Sequence, residues 1–174
     1  MRVRIVSIGD IDDAMVSRWN AWASPGGQLV SPYLRFEFTR CIARVRDDVR
    51  IAVFEAAGQI IGFFPHHAAR EGVIRPIGAP MSDYQGIIAA PGQSFDLRAV
   101  LGSAGGSALV FDNWYGPLTD QAAPMRDIDG STIVDLAGGA DAYFAARNAE
   151  SPSHFRKTAR LHRNAERDHG PVRI

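Results

Sequence analysis

Val49-Arg50-Ile51-Ala52-Val53-Phe54-Glu55-Ala56-Ala57-Gly58-Gln59-Ile60-Ile61-Gly62-Phe63-Phe64-Pro65 is the stretch whose reading decides the fold. Val49 to Phe54 and Gln59 to Phe64 are rich in β-branched and aromatic side chains, which fit a pleated, half-buried surface. Between them Glu55 to Gly58 is short, and Gly58 reaches the positive φ that a tight hairpin demands. Two antiparallel strands follow. Pro65 has no N–H to give to a ladder, so it predicts a bulge, a bend or an edge where the second strand ends.

Working outward toward the N-terminus, Arg2 to Ile8 alternates charged and apolar residues before Gly9, as a half-buried strand does. Asp10 is positioned to cap a helix, and Ile11, Met15, Trp19 and Trp22 draw one apolar stripe before Ser24, Pro25, Gly26 and Gly27 break it. A second helix opens at Ser31-Pro32 and sets Leu34, Phe38, Cys41 and Val45 on one face. Cys41 is therefore expected as a buried structural thiol.

Toward the C-terminus, Val73 to Gly86 is apolar but broken by Pro76, Gly78 and Pro80, and a short strand, Ile87 to Ala90, ends at Pro91-Gly92. Asp96 to Ser103 reads as a short helix and Ala108 to Phe111 as a buried strand. Leu118 to Gly130 is loop-like, Thr132 to Leu136 alternates as a strand, and Asp141 to Ala149 is a short helix. This order predicts an α/β (α+β) domain with a mixed, largely antiparallel sheet flanked by helices.

Ser151 to Gly170 is the clearest helix. Ser151 is positioned to cap it, Pro152 fits its first turn, and Gly170-Pro171 stops it. Arg156, Arg160, Arg163 and Arg167 share one face. Pro171 to Ile174 alternates like the opening of a strand, so the chain reads as the first part of a larger architecture. The expected organisation is a domain over 1–150, then a basic connecting helix and strand start over 151–174. An excess of arginine on a solvated helix accounts for the stripe equally well.

With 174 residues, 46% of them hydrophobic and 22% charged, the chain suits one domain with its own core. Nineteen basic and nineteen acidic residues cancel, which lacks the general basic footprint of a nucleic-acid binder. A single cysteine excludes an internal disulfide framework and a thiolate zinc site. The N-terminus is too short and charged for a signal peptide and no run approaches a membrane span, so a cytoplasmic location is expected.

Candidate chemistry gathers in the middle of the chain. His66 and His67 are neighbours in a strand and point to opposite faces, so they do not grip one metal, and no metal is expected. One of them can serve as a general base at a cleft. Asp83 and Tyr84, in a turn-rich segment, are the best placed to touch substrate, although an Asx-turn explains the aspartate as well.

The order strand, two helices, three or more antiparallel strands, helix and strand is that of the acyl-CoA N-acyltransferase (GNAT) fold. Four pieces resemble its CelD/BcsL-like branch, associated with bacterial cellulose synthesis and related to the FemAB-like tandem enzymes. They are Ser31-Pro32-Tyr33; Gly58 to Pro65; Asp83-Tyr84-Gln85-Gly86; and Ser153-His154-Phe155-Arg156-Lys157-Thr158-Ala159-Arg160-Leu161-His162-Arg163. The last looks like the helix that joins the two GNAT-like halves in that group.

The resemblance implies direct transfer of an acyl group from acyl-CoA to an amine or hydroxyl acceptor. This chain would be the N-terminal half, inactive without a second GNAT-like half. Its contribution to the acceptor cleft would be Pro65 and His66 at the strand end, Asp83 and Tyr84 on the loop, and Arg156, Lys157 and Arg160 on the connecting helix. Acyl-CoA pyrophosphate is held in such enzymes by a [QR]-x-x-G-x-[GA] loop. The nearest match, Arg75-Pro76-Ile77-Gly78-Ala79-Pro80, has two prolines without N–H and is read as a decoy. The alternative is a non-catalytic module that docks an acidic partner through the arginine face.

Overall fold

The computed structural model describes residues 1–23, 31–115 and 134–171. Contacts divide the chain into two compact units, Met1–Pro124 and Met125–Ile174. In the first, the described residues form β1 (Arg2–Val6), α1 (Asp13–Trp22), α2 (Phe36–Ala43), β2 (Val49–Ala56), β3 (Gln59–Arg70), β4 (Val73–Pro76), β5 (Ile88–Ala89), α3 (Leu97–Ser103) and β6 (Ala108–Leu109). The second holds α4 (Ala140–Glu150) and α5 (Pro152–His169). The architecture is mixed α+β, with a mostly antiparallel open sheet flanked by helices.

The central hairpin is tighter than the sequence predicts. Both strands extend toward each other until only Ala57 and Gly58 remain, at φ 49° and 75°, the paired positive values of a two-residue hairpin turn whose twist matches its strands. Glu71 and Gly72, at φ 51° and 77°, repeat the device between β3 and β4. The register shift in β2–β3 falls between Phe54 and Glu55.

Pro65 does not end a strand. It pairs with Ile51, and β3 continues to Arg70 between two neighbours. The carbonyl of Pro65 accepts from Ile77 N–H at 3.1 Å. N–H and C=O of one strand residue point the same way, so the missing donor faces that same flank. There β5 pairs with Gly62 and Phe63, β4 takes over at His66, and Pro65 lies in the gap between them.

The sheet runs β1-β2-β3-β4-β6, with β5 also on β3. Its pairings are antiparallel except β4 with β6, which is parallel and is reached through α3. Since β4 and β5 follow the same flank of β3, residues 77–87 are an excursion out of what is otherwise one strand line.

Side-chain alternation splits the core into two layers. On one face Ile51, Val53, Phe63 and Ile88 meet Met15 and Trp19 of α1 and Phe36 of α2. Trp19 stacks on Phe63 with centroids 4.8 Å apart, and its Nε1–H donates to Leu34 O at 2.8 Å. On the other face Ala52, Phe54, Phe64 and Ile74 pack with Phe95 and with Val100 of α3.

Several local expectations need correction. Asp12, not Asp10, caps α1, accepting from Met15 N–H at 2.8 Å; the Asp10 carboxylate is spent on Ser7 N–H and Oγ in a preceding turn. Ser31-Pro32 opens a 3₁₀ turn, Pro32–Leu34, and α2 begins only at Phe36. That break rotates the helix so that Phe36 and Thr39 are buried, leaving Cys41 exposed and Val45 beyond the helix end and exposed. Of the strand expected over Thr132 to Leu136, 132–133 lie outside the described residues and 134–136 take no regular form. Residues 172–174, in the expected strand start, also lie outside them.

Candidate functional site

The excursion 77–87 leaves the sheet beside Pro65, and the backbone N–H groups of its first part, 77–82, are bonded within the protein. Ile77 N–H goes to Pro65 O, Ala79 N–H to Pro76 O at 3.2 Å, and Met81 and Ser82 N–H to Gly78 O at 2.8 and 3.1 Å. Gly78 N–H donates to His67 Nε2 at 3.3 Å. Every N–H from Ile77 to Ala79 therefore has a partner within the protein, and Pro76 and Pro80 have none to give. The segment 75–80 offers no nest of free amides for a pyrophosphate.

The far end of the excursion is stapled through Gln85, which is buried. Its Nε2 donates toward Ser82 O and Oγ at 3.4 and 3.3 Å, and its Oε1 accepts from Asp112 N–H at 3.2 Å. Its backbone N–H reaches Asn113 O at 2.9 Å and its carbonyl accepts from Tyr115 N–H at 2.6 Å. Between these anchors stands Asp83, exposed. Its Oδ2 accepts from Tyr33 Oη–H at 3.1 Å, and the hydrogen bond and the carboxylate's charge raise the Tyr33 phenol pKa. Phe38 packs edge-on to Tyr33 at 5.2 Å. Tyr84, half-buried, meets Tyr115 edge-on at 5.9 Å.

Beneath the excursion runs a relay absent from the sequence reading. Arg46 Nη2 and Nε hold Asp48 at 2.6 and 2.9 Å, Asp48 Oδ1 lies 3.1 Å from His67 Nδ1, and His67 Nε2 receives Gly78. Arg46 first, and His67 after it, hold the Asp48 carboxyl well below the usual carboxylate range. The signal that locates this pair is register: Val49 lies opposite His67, so Asp48 at the mouth of β2 comes within reach.

Among the expected site residues, Pro65 and His66 stand inside β3, with four strand residues following. His66 is 1% exposed, its Nδ1 lies 3.0 Å from Phe64 O and its ring stacks on Phe64 at 5.2 Å. Burial lowers its pKa. It is a core ring within β3, whereas Asp83 and Tyr84 lie on the excursion itself.

Arg156, Lys157 and Arg160 belong to the second unit. With Ser153, Ala159 and Arg163 they line a shallow strip on α5. None of these four cations has an ion-pair partner among the described residues, whereas Arg167 binds Asp168 at 2.8 Å and His162 lies 3.4 Å from Glu166. Ser151 makes no side-chain cap, while Gly170, at φ 85°, closes the helix. Phe155 of α5 meets Phe144 of α4 edge-on at 6.5 Å, and neither helix has a buried residue.

The described residues contain no group of three or more His, Cys, Asp or Glu able to hold a metal ion, and no helix among them is long and apolar enough to cross a membrane. No protein-family model, curated protein or solved structure matches the chain.

Proposed function

We propose that this chain is the acceptor-binding lobe of an acyl-CoA-dependent acyltransferase of the GNAT type, similar to the CelD-like branch. The observation that carries the reading is the Tyr33–Asp83 bond. It joins Ser31-Pro32-Tyr33 to Asp83-Tyr84-Gln85-Gly86, two separate pieces that carry the resemblance. The parallel β4–β6 pair that follows α3 at the end of an otherwise antiparallel sheet supports it.

In this reading Asp83, steadied by Tyr33, and Tyr84 hold the amine or hydroxyl acceptor. The acceptor's N or O attacks the thioester carbonyl, the C–S bond breaks, the acceptor's proton passes to a base or water, and CoA departs as the thiol. The 75–80 loop does not serve as the pyrophosphate site, so acyl-CoA is assigned to a second GNAT-like half. The test follows thiol release from acetyl-CoA with a panel of amines and alcohols, using this chain and its natural reading frame past Ile174 where that continues. Asp83→Ala should lower transfer by about tenfold to a hundredfold with the fold intact. Unchanged transfer in both Asp83→Ala and Tyr84→Phe removes the acceptor assignment.

The second reading is a binding module that docks an acidic protein through α5, favoured by Arg156, Lys157, Arg160 and Arg163, which have no ion-pair partner among the described residues. Binding that weakens with salt and is lost in Arg160→Glu/Arg163→Glu supports it; transfer activity in the chain alone argues against it.

A further inference from the structure

We propose that His67 is a proton-controlled latch on the 77–87 excursion. The inference stands whether or not the acyl-transfer reading holds, because it rests on the hydrogen-bond geometry alone. Gly78 N–H can only donate, so Nε2 of His67 must present a lone pair to it at 3.3 Å. The ring's proton then sits on Nδ1 and is donated to Asp48 Oδ1 at 3.1 Å. This neutral tautomer is the state that holds the excursion down. A proton added at Nε2 turns the acceptor into a donor facing another donor. The Gly78 contact is lost, while Nδ1–H still binds Asp48.

The two sides of the ring therefore respond differently to acid. Asp48 is fixed by Arg46 and anchored in the backbone, where its carbonyl accepts from Ala68 N–H at 2.7 Å. Gly78 has φ 75°, and the space beside its Cα is filled by the Phe38 ring, which a Cβ would meet at 2.8 Å. The latch point thus sits where the chain turns against α2; of the excursion's other ties, those through Ser82 and Gln85 contain no ionisable group, while the Asp83–Tyr33 bond does. The charged and titratable groups around the ring are Asp48 and Arg46 from the run into β2, Arg50 on β2, His66 beside it in β3, and Arg75 opposite it on β4. The excursion brings no ionisable group before Asp83.

The experiment is a pH titration of the ¹⁵N-labelled chain, reading the His67 ring nitrogens and the Gly78 amide together. While neutral, the ring should carry its proton on Nδ1. As the ring charges, the Gly78 amide should shift with the same midpoint, and its protection from exchange should fall roughly fivefold to tenfold, as expected for one lost hydrogen bond. Amides of Ala52 and Phe54 should not follow. His67→Gln offers a side-chain oxygen near the Nε2 position without a titrating proton, so it should keep Gly78 protected through the whole range; His67→Phe should leave it unprotected throughout. A neutral ring that carries its proton on Nε2, Gly78 protection indifferent to the ring's charge, or a glutamine variant that responds to pH like the wild type would each overturn the latch.

Discussion

Tyr33 Oη–H donates to Asp83 Oδ2 at 3.1 Å, linking the 3₁₀ turn before α2 to the tip of the 77–87 excursion. The hydrogen bond keeps the phenol in its protonated form, and the negative charge beside it opposes ionisation further. Tyr33 should therefore titrate above the ordinary tyrosine value of about 10. Asp83→Ala removes both the acceptor and the charge and should bring the transition back down, as read from the ultraviolet absorbance of the phenolate. A transition that stays in place would show that the pair does not persist in solution.

Trp19 fills the α1 face of the sheet and is fully buried, stacked on Phe63 and bonded through Nε1 to Leu34 O. Trp19→Ala should cost about 3 to 5 kcal/mol. Trp19→Phe keeps the ring but leaves Leu34 O without its donor, so its cost should be smaller, about 1 to 3 kcal/mol. Denaturant midpoints of the two variants should keep that order.

The part of the fold that the sequence discloses is the part set by local alternation. The β-rich runs Val49 to Phe54 and Gln59 to Phe64, and the Met15–Trp19 stripe, give the central strands and the first helix with little tertiary help, whereas the division of Ile51/Val53 and Ala52/Phe54 between two core layers emerges only in the fold. What it conceals depends on partners far along the chain. Pro65 reads as a strand end because proline withholds a donor, and nothing local reveals that two separate strands leave a gap opposite it. Cys41 reads as buried because the stripe from Leu34 assumes an unbroken helix, whereas the 3₁₀ turn resets the phase before Phe36. Asp83 stood out from its loop, but Tyr33, Gln85 and the Asp48–His67 pair acquire roles only through contacts that close in three dimensions.

Gly86 is required for close approach. A Cβ there would collide with the carbonyl oxygen of Tyr115, the backbone that also donates Tyr115 N–H to Gln85 O. Gly62 is crowded differently: its Cβ would meet the tip of the Phe95 ring at 2.8 Å, and a side chain can yield where a paired backbone cannot. Gly86→Ala should therefore cost about 1 to 3 kcal/mol and Gly62→Ala less. Chemical denaturation, with the Asp112–Tyr115 amides monitored for lost protection, separates the two cases.

Acid should destabilise the fold in two windows. His66 is buried against Phe64, and its pKa lies below the unfolded value of about 6.5, so the native state binds fewer protons than the unfolded chain in that range. Its stabilising contribution is present above the unfolded value and is lost as pH falls through the folded one. Asp48 acts in the same direction but lower, from the ordinary aspartate value of about 3.9 downward, because Arg46 and His67 favour its charged form. His66→Phe keeps an aromatic ring on Phe64 and removes the proton site, so the decline of stability below about pH 6.5 should flatten while the lower limb remains. Asp48→Asn should do the reverse. Denaturation midpoints across the acid range distinguish them, and a His66→Phe chain that loses stability over the upper window as steeply as the wild type would mean that the buried ring is not the group taking up the proton.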